Sequence, residues 1–137
     1  MAAIRSKNTL PEIYFRKLLF ARGYRYSLNS AAVPGHPDIY LRKYNTAVFV
    51  HGCFWHRHPG CRYAYTPKSR VEFWQKKFEA NRKRDDVVRR KLQEDGIKCL
   101  LVWECTVKRM AKKQEDSEEC LRRVEIFLRT EEPFLEI

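Results

Sequence analysis

Eleven consecutive residues, from 51 to 61, contain three of the four histidines of the chain and two of its five cysteines. Cys53, His58 and Cys61 have the spacing C-x4-H-x2-C, with a Pro-Gly turn between the last two. Zinc takes four thiolate, imidazole or carboxylate ligands in a tetrahedron. Cys105, just beyond an apolar run, is the best candidate for the fourth ligand. The spacing therefore predicts a structural zinc site, ahead of an open catalytic zinc or a loop of unconnected polar residues.

His51 and His56 lie in the same segment but outside this predicted ligand set. A neutral imidazole exchanges a proton near neutral pH, so two of them in a basic protein suit acid–base catalysis on a phosphate ester. A single histidine is more often a hydrogen-bonded structural residue. That alternative stays open for each of the two, although their clustering favours chemistry.

Two carboxylates are candidates for a site that binds a hard cation. Asp38 follows a proline at the start of a predicted strand, and Mg²⁺ binds one or two carboxylates together with phosphate oxygens. A loop aspartate that caps its own turn explains this dipeptide equally simply. Glu12 is ambiguous in the same way, because it completes a helix capping box with Thr9 and could also lie beside the metal.

Three aromatic residues occupy unusual places in the sequence. Phe54 and Trp55 are adjacent within the histidine- and cysteine-rich segment, and Trp74 lies near the start of a basic helical stretch. Aromatic side chains in charged loops can insert between bases or stack on them. Packing over the zinc site or in a small secondary core is the alternative. We favour base contacts for Phe54 and Trp55, and we hold both interpretations open for Trp74.

The predicted elements that must position these residues alternate between helices and strands. In chain order they are a helix from Thr9 to Gly23, strands over 24–28, 38–41 and 46–50, a helix from a Ser69/Glu72 capping box to Gly96, a strand over 97–103 and a helix from Ser117. This order predicts an α/β fold, a mixed sheet flanked by helices. We expect one domain over residues 1–137, with an N-terminal arm over 1–8 and a C-terminal helix and tail over 107–137. Cys99 and Cys120 fall in apolar runs and are expected to pack in the core.

Positive charge is concentrated in the first part of the chain. Residues 1–98 contain 21 basic and 8 acidic side chains, whereas residues 99–137 contain 7 and 9. This distribution favours a polyanionic partner such as nucleic acid over a charge that serves solubility alone. The odd number of cysteines argues against a disulfide framework, and no apolar run is long enough for a signal peptide or a membrane span. We therefore expect a cytosolic protein that does not bind a membrane.

Four segments, taken in order, resemble the very-short-patch repair endonucleases. They read P-G-H-P-D, A-V-F-V-H-G-C-F-W-H-R-H, F-W-Q-K-K-F-E-A-N-R-K-R-D and L-L-V-W-E-C. The resemblance extends from about residue 4 to about residue 106. One departure is Val50, which stands where some members have a threonine.

The resemblance implies a monomeric enzyme of the bacterial cytosol that nicks double-stranded DNA 5′ of the thymine in a T·G mismatch. Such mismatches arise by deamination of 5-methylcytosine. It implies a fold related to the type II restriction enzymes, a catalytic Mg²⁺ and a structural Zn²⁺. By matching position, it assigns Asp38 to Mg²⁺, His51, His56 and Glu12 to the catalytic site, Cys53, His58, Cys61 and Cys105 to Zn²⁺, and Phe54, Trp55 and Trp74 to insertion into DNA.

Two other functions remain open at this point. One is a restriction-type nuclease that cuts undamaged DNA at a specific sequence. The other is a zinc-stabilised DNA-binding module without catalysis. A nicking assay on mismatched and fully paired duplexes separates these possibilities.

Overall fold

The computed structural model describes residues 8–137, so the predicted arm lies outside the described residues apart from Asn8. Four α-helices and five strands follow one another along this part of the chain. They are α1 (Leu10–Ala21), β1 (Ser27–Leu28), β2 (Ile39–Leu41), β3 (Thr46–His51), α2 (Val71–Glu94), β4 (Lys98–Trp103), α3 (Glu104–Lys112), α4 (Gln114–Arg129) and β5 (Phe134–Glu136), with a 3-10 turn at Arg42–Tyr44.

The five strands form one mixed sheet in the order β1-β2-β3-β4-β5. Strands β1, β2 and β3 are antiparallel neighbours, whereas β3, β4 and β5 run parallel. The parallel register places His51 directly beside Trp103 at the carboxyl ends of β3 and β4. The predicted α/β fold, a mixed sheet flanked by helices, is confirmed and is consistent with a restriction-endonuclease-like fold.

The two faces of the sheet are covered very differently. One face packs against α1, α3 and α4 in a large core that includes Phe15, Val48 and Val124. The other face meets α2 in a smaller cluster that includes Ala47, Leu92 and Cys99. Successive strand residues such as Ala47 and Val48 point to opposite faces, which explains why β3 contributes to both cores. Only Phe78 and Leu92 of the 24-residue α2 are buried, so this helix covers its side of the sheet loosely.

The starts of the first two long helices test the capping predictions. The Thr9 hydroxyl accepts a hydrogen bond from the Glu12 N–H at 3.4 Å, and the helix ends just before Gly23, where φ is +95°. Both predictions for α1 are therefore confirmed. The Ser69/Glu72 capping box is wrong. Arg70 is the N-cap of α2, with a left-handed backbone and no side-chain cap, so Ser69 lies one residue too early to cap the first turn.

The C-terminal part of the chain contains two elements that the sequence pattern did not reveal. Helix α3 begins immediately after β4, so Cys105 lies in the first turn of a helix. Strand β5 pairs with β4 at the far edge of the sheet. Helix α4 begins at Gln114, before the predicted start at Ser117. Cys99 and Cys120 are buried in the two cores, as expected. No helix of residues 8–137 is both long and apolar enough to cross a membrane.

Candidate active site and metal centre

The four predicted zinc ligands lie together beside the carboxyl end of the sheet. One ligand atom from each of Cys53, His58, Cys61 and Cys105 falls within 4.8 Å of the others. The His58 Nδ1 atom is 3.6 Å from the Cys53 Sγ and 3.4 Å from the Cys105 Sγ. With typical zinc–ligand bond lengths, neighbouring S and N atoms of a tetrahedral site lie roughly 3.5 Å apart. The cluster therefore has the donor set and the dimensions of a closed structural zinc site.

Local backbone hydrogen bonds bring three of these ligands together. The His58 N–H donates to the Cys53 carbonyl at 3.0 Å, and the Cys61 N–H donates to the His58 carbonyl at 3.3 Å. Arg57 and Gly60 adopt positive φ angles that allow these tight turns. The fourth predicted ligand, Cys105, lies at the start of α3. Its backbone N–H donates to the Cys53 Sγ at 3.4 Å.

The electrostatics of this cluster also favour a bound cation. Burial, with the neighbouring thiols, raises the pKa of Cys53 to about 12. A thiol in this position stays protonated unless a positive charge compensates for burial of the thiolate. A zinc ion would provide that charge and would bind the thiolate form.

A second cluster contains the two histidines outside the zinc site. His51 ends β3 and His56 lies in the following loop, and their rings stack with centroids 3.7 Å apart and an interplanar angle of 9°. The His56 Nδ1 is 2.7 Å from the Asp85 Oδ2 on α2. Asp85 was missed by the sequence analysis. The signal available was an acidic pair, Asp85 and Asp86, that interrupts the basic residues of α2.

The geometry of this second cluster is that of a hydrogen-bonded dyad. Ligand atoms of His51, His56 and Asp85 lie within 4.8 Å of one another, which is close enough for a metal. The two imidazole rings are nearly parallel, however, so their in-plane lone pairs do not converge on one point. A proton on Nδ1 of His56 makes the hydrogen bond to Asp85 and leaves Nε2 as an acceptor. Burial, and next the neighbouring His56, lowers the pKa of His51 to about 3, so this imidazole is neutral at physiological pH.

Asp38 and Glu12 form the acidic part of the same region. The Asp38 Oδ2 accepts a hydrogen bond from the Val50 N–H at 2.7 Å, a contact that involves only the backbone of Val50. Burial, and next the charge of Glu12, raises the pKa of Asp38 to about 7 despite this hydrogen bond. Glu12 is only 1% exposed, and its carboxylate pairs with Arg16 at 3.4 Å. A half-buried carboxylate whose ionisation is opposed by a second, buried carboxylate fits a divalent cation.

One cleft of about 1350 Å³ joins these groups. It lies between the loosely packed α2 and the sheet, and its walls include Glu12, Asp38, His51, His56 and Asp85. Basic side chains also line it, among them Arg57, Lys77, Arg82, Arg84 and Arg89. A cleft with acidic and imidazole groups inside a basic surround suits a phosphate-rich substrate.

The predicted DNA-contacting aromatic residues form a continuous cluster at one end of this cleft. The Phe54 ring lies 5.0 Å from Trp55 and 5.6 Å from Trp74, and Trp55 lies 5.6 Å from Trp74. The Phe78 ring packs against Phe54 as well, and the guanidinium of Arg57 lies over the Phe78 ring at 4.0 Å. All three predicted residues are half-buried. They therefore pack on one another and still present edges to solvent.

The amino-acid sequence of this chain is similar to those of known proteins. A family model described as DNA mismatch endonuclease Vsr matches residues 1–62. A protein of Escherichia coli K12 named DNA mismatch endonuclease Vsr is 38% identical over 108 residues, which cover 79% of this chain and 69% of that protein. The chain belongs to the Vsr family.

Two further relatives of this Vsr-family protein have a different kind of name. The type II nicking enzyme V.NmeAIP of Neisseria meningitidis serogroup A is 45% identical over 111 residues, covering 81% of this chain and 79% of the relative. The type II nicking enzyme V.XorIIP of Xanthomonas oryzae is 47% identical over 105 residues, covering 77% and 76%. The Vsr-family chain is thus a DNA endonuclease, and the alternative of a non-catalytic DNA-binding module is set aside.

Proposed function

We propose that this Vsr-family endonuclease nicks one DNA strand 5′ of the thymine in a T·G mismatch by Mg²⁺-dependent hydrolysis. The observation that supports this most is the meeting of two groups in one cleft. One is the His56–Asp85 hydrogen bond of 2.7 Å, and the other is the pair of carboxylates of Asp38 and Glu12. Phosphodiester hydrolysis needs a base for the attacking water and positive charge beside the phosphate. The His56–Asp85 pair would provide the base, and the two carboxylates would hold the cation that provides the charge.

Asp38 and Glu12 would hold the catalytic Mg²⁺. The ion would bind the scissile phosphate and stabilise the negative charge that develops on it. The Val50 N–H fixes one oxygen of Asp38 and leaves other lone pairs of that carboxylate for a cation. Arg16 holds Glu12 in place from the next turn of α1.

His56 would act as the general base for the attacking water. Asp85 orients the ring through Nδ1 and stabilises the imidazolium that forms when Nε2 takes the proton. His51 is neutral, half-buried and stacked on His56, so it would limit rotation of that ring and add a hydrogen-bonding atom to the cleft. The hydrogen bond to Asp85 supports the choice of His56 over His51 as the base.

Recognition of the mismatch would come from the aromatic cluster of Phe54, Trp55 and Trp74. Insertion of an apolar wedge costs a few kcal/mol per unstacked base step. A mismatched pair is opened more cheaply than a matched one, so the wedge itself selects damaged DNA. The three rings are already packed together before DNA binds, which reduces the ordering cost of insertion.

The surrounding basic residues would hold the phosphate backbone without reading its sequence. We further propose that the sheet and its helices form one nuclease domain and that the protein acts as a monomer. As a repair enzyme, it would work in the bacterial cytoplasm, where the DNA is.

The test is a nicking assay with Mg²⁺ on three matched duplexes that contain T·G, C·G or T·A at one position. We expect the T·G duplex to be nicked at least about a hundredfold faster than the paired duplexes, and D38A and H56A to be inactive on it. Equal rates on all three duplexes would refute mismatch recognition. A wild-type rate for either variant would refute the role given to that residue.

A second candidate function is nicking of fully paired DNA at a specific sequence. The names of the two Neisseria and Xanthomonas relatives, both type II nicking enzymes, favour it. The same assay distinguishes it from mismatch nicking if the duplexes are embedded in varied flanking sequences. A paired duplex that is cut as fast as the T·G duplex in one sequence context would support this second candidate.

A further inference from the structure

Trp103, the last residue of β4, lies between the two histidine-containing clusters. Its side chain is 5% exposed, and its indole contacts both histidine-containing clusters. The His58 ring stacks on it with centroids 4.2 Å apart and an interplanar angle of 9°. The His51 ring meets it edge-on at 5.7 Å. A single indole therefore separates a predicted zinc ligand from a histidine of the cleft and touches both.

The indole of Trp103 is held in place from the C-terminal strand. Its Nε1–H donates to the Glu136 Oε2 at 2.7 Å, a distance typical of a charge-assisted hydrogen bond. The backbone around it is fixed as well, because the Trp103 N–H donates to the Ile137 carbonyl and the Ile137 N–H donates to the Leu101 carbonyl, each at 2.9 Å. Residues 136–137 therefore secure both the main chain and the side chain of Trp103.

The hydrogen bond to Glu136 stabilises the observed orientation of the indole. A buried indole N–H usually has an acceptor, and removal of that acceptor makes the orientation less favourable. Strand pairing with His51 fixes only backbones, so the position of the His51 ring depends on the side chains beside it. Within the described chain, the ring contacts of Trp103 are those with His51 and His58. Any rotation of the indole therefore disturbs these two histidines first.

We propose that Glu136 and Trp103 form a positioning pair. The Glu136 carboxylate orients the indole of Trp103, and the indole, which stacks on His58 on one side, aligns the ring of His51 in the cleft. Neither residue is catalytic in this proposal, because both act through His51. The proposal rests on the nicking activity proposed above. It assigns the C-terminal strand β5, which lies beyond the segments of family resemblance, a role in the active site.

Misalignment of His51 should affect the rate of the chemical step and not the binding of DNA. The indole lines the same cleft, but its ring contacts within residues 8–137 are with His51 and His58 and not with the aromatic cluster around Phe54 and Trp74. Loss of alignment at His51 should therefore lower kcat and leave KM for the duplex unchanged. A misplaced catalytic group costs rate steeply even when the structure changes little.

The experiment compares E136A, E136Q and the control E131Q, which alters an exposed carboxylate nearby. We expect E136A to lower kcat on T·G duplex about tenfold or more, with KM within about twofold and wild-type zinc content. E136Q should retain most of kcat, because a glutamine oxygen still accepts the indole N–H. A wild-type kcat in E136A, or an equal loss in E136A and E136Q, would overturn the proposal.

A second variant, W103F, keeps an aromatic ring and removes the hydrogen-bond donor. We expect W103F and the double variant W103F/E136A to show about the same loss as E136A, because the two residues act as one unit. Additive losses would count against the pair. If E136A does not fold, W103F alone tests the pair, and a wild-type kcat in W103F would overturn the proposal.

Nuclear magnetic resonance provides a readout that does not depend on nicking. The Trp103 indole N–H resonance and the His51 ring resonances should shift in E136A and remain near their wild-type positions in E136Q and E131Q. Unchanged His51 resonances in E136A would refute the positioning role. A wild-type enzyme that fails to nick T·G duplex would instead refute the proposed function, and the resonances would still test the contact between Glu136, Trp103 and His51.

Discussion

The loop over residues 51–61 supplies side chains to two clusters that are built in different ways. The proposed metal centre takes Cys53, His58 and Cys61 from this segment and Cys105 from the start of α3. The proposed catalytic cluster takes His51 and His56 from the same segment, and it also includes Glu12 from α1, Asp38 from the start of β2 and Asp85 from α2. One cluster is mainly local, whereas the other depends on the assembled sheet.

This difference explains the division of work in the proposed mechanism. A closed set of thiolate and imidazole ligands would bind zinc tightly and immobilise the loop. The proposed catalytic residues line the open cleft, where a phosphate can enter. In this mechanism the metal centre would hold the backbone of the loop, and the partners from α1, β2 and α2 would set the chemistry of the two histidines.

The largest effect is expected from breaking the metal centre. C105S removes the predicted ligand that connects the loop to α3. Loss of a residue that only hydrogen-bonds to a metal ligand lowers metal affinity roughly 10–100-fold, and loss of a ligand itself should lower zinc affinity by more than that. Thermal stability and nicking should fall with it, because binding of a structural zinc contributes to folding. Metal analysis and thermal melting measure this. C120A, which alters a core cysteine, should keep its zinc. Full zinc content and an unchanged melting curve for C105S would contradict the assignment.

A smaller effect, confined to chemistry, is expected from D85N. The amide cannot stabilise the imidazolium of His56 as a carboxylate does, so nicking should slow by about a hundredfold or more. Zinc content, melting temperature and KM for the duplex should stay at wild-type values. The neighbouring D86N is the matched control, because Asp86 is exposed on the same helix, and its rate should be unchanged. If D85N and D86N nick equally fast, the dyad is not part of the mechanism.

A smaller change of stability than in C105S, with the opposite sign, is expected from D38N. The pKa of Asp38 in the folded protein is about 7, well above the ordinary value, because of burial and Glu12. The ionised carboxylate therefore destabilises the native state above pH 7, and this penalty fades as the pH falls through 7 towards 4. Without Mg²⁺ at pH 8, D38N should be more stable by on the order of 2 kcal/mol, yet inactive.

Chemical denaturation at pH 8 and at pH 4 measures this gain. The advantage of D38N should largely disappear at pH 4, where the aspartate is protonated in the folded state and about half protonated in the unfolded state. A D38N variant that is less stable than the wild type at pH 8 would show that the ionised Asp38 carboxylate stabilises the folded state, contrary to this prediction.

Elements that depend on neighbouring residues could be predicted from the sequence, whereas elements that depend on tertiary contacts could not. Helix α1, with Thr9 as its cap and Gly23 after its end, was predicted from local hydrogen-bonding rules, and the structure confirms it. The start of α2 was predicted by the same rules and was wrong. Arg70 adopts a left-handed conformation there and begins the helix without a side-chain cap. Strand β5 is three residues long, and its place in the sheet depends on parallel pairing with β4, which no local pattern reveals.

The sequence by itself determined the elements of this protein that depend on neighbouring residues. It specified the chemistry of the 51–61 loop, the mixed α/β class and the basic first part of the chain, because residue types, short spacings and charge are local properties. Only the tertiary structure decided which of the many carboxylates face the histidines. The choice of Asp85 as the partner of His56, and of Glu136 as the partner of Trp103, depends on how α2 and β5 pack on the sheet, and such contacts join residues 29 and 33 positions apart.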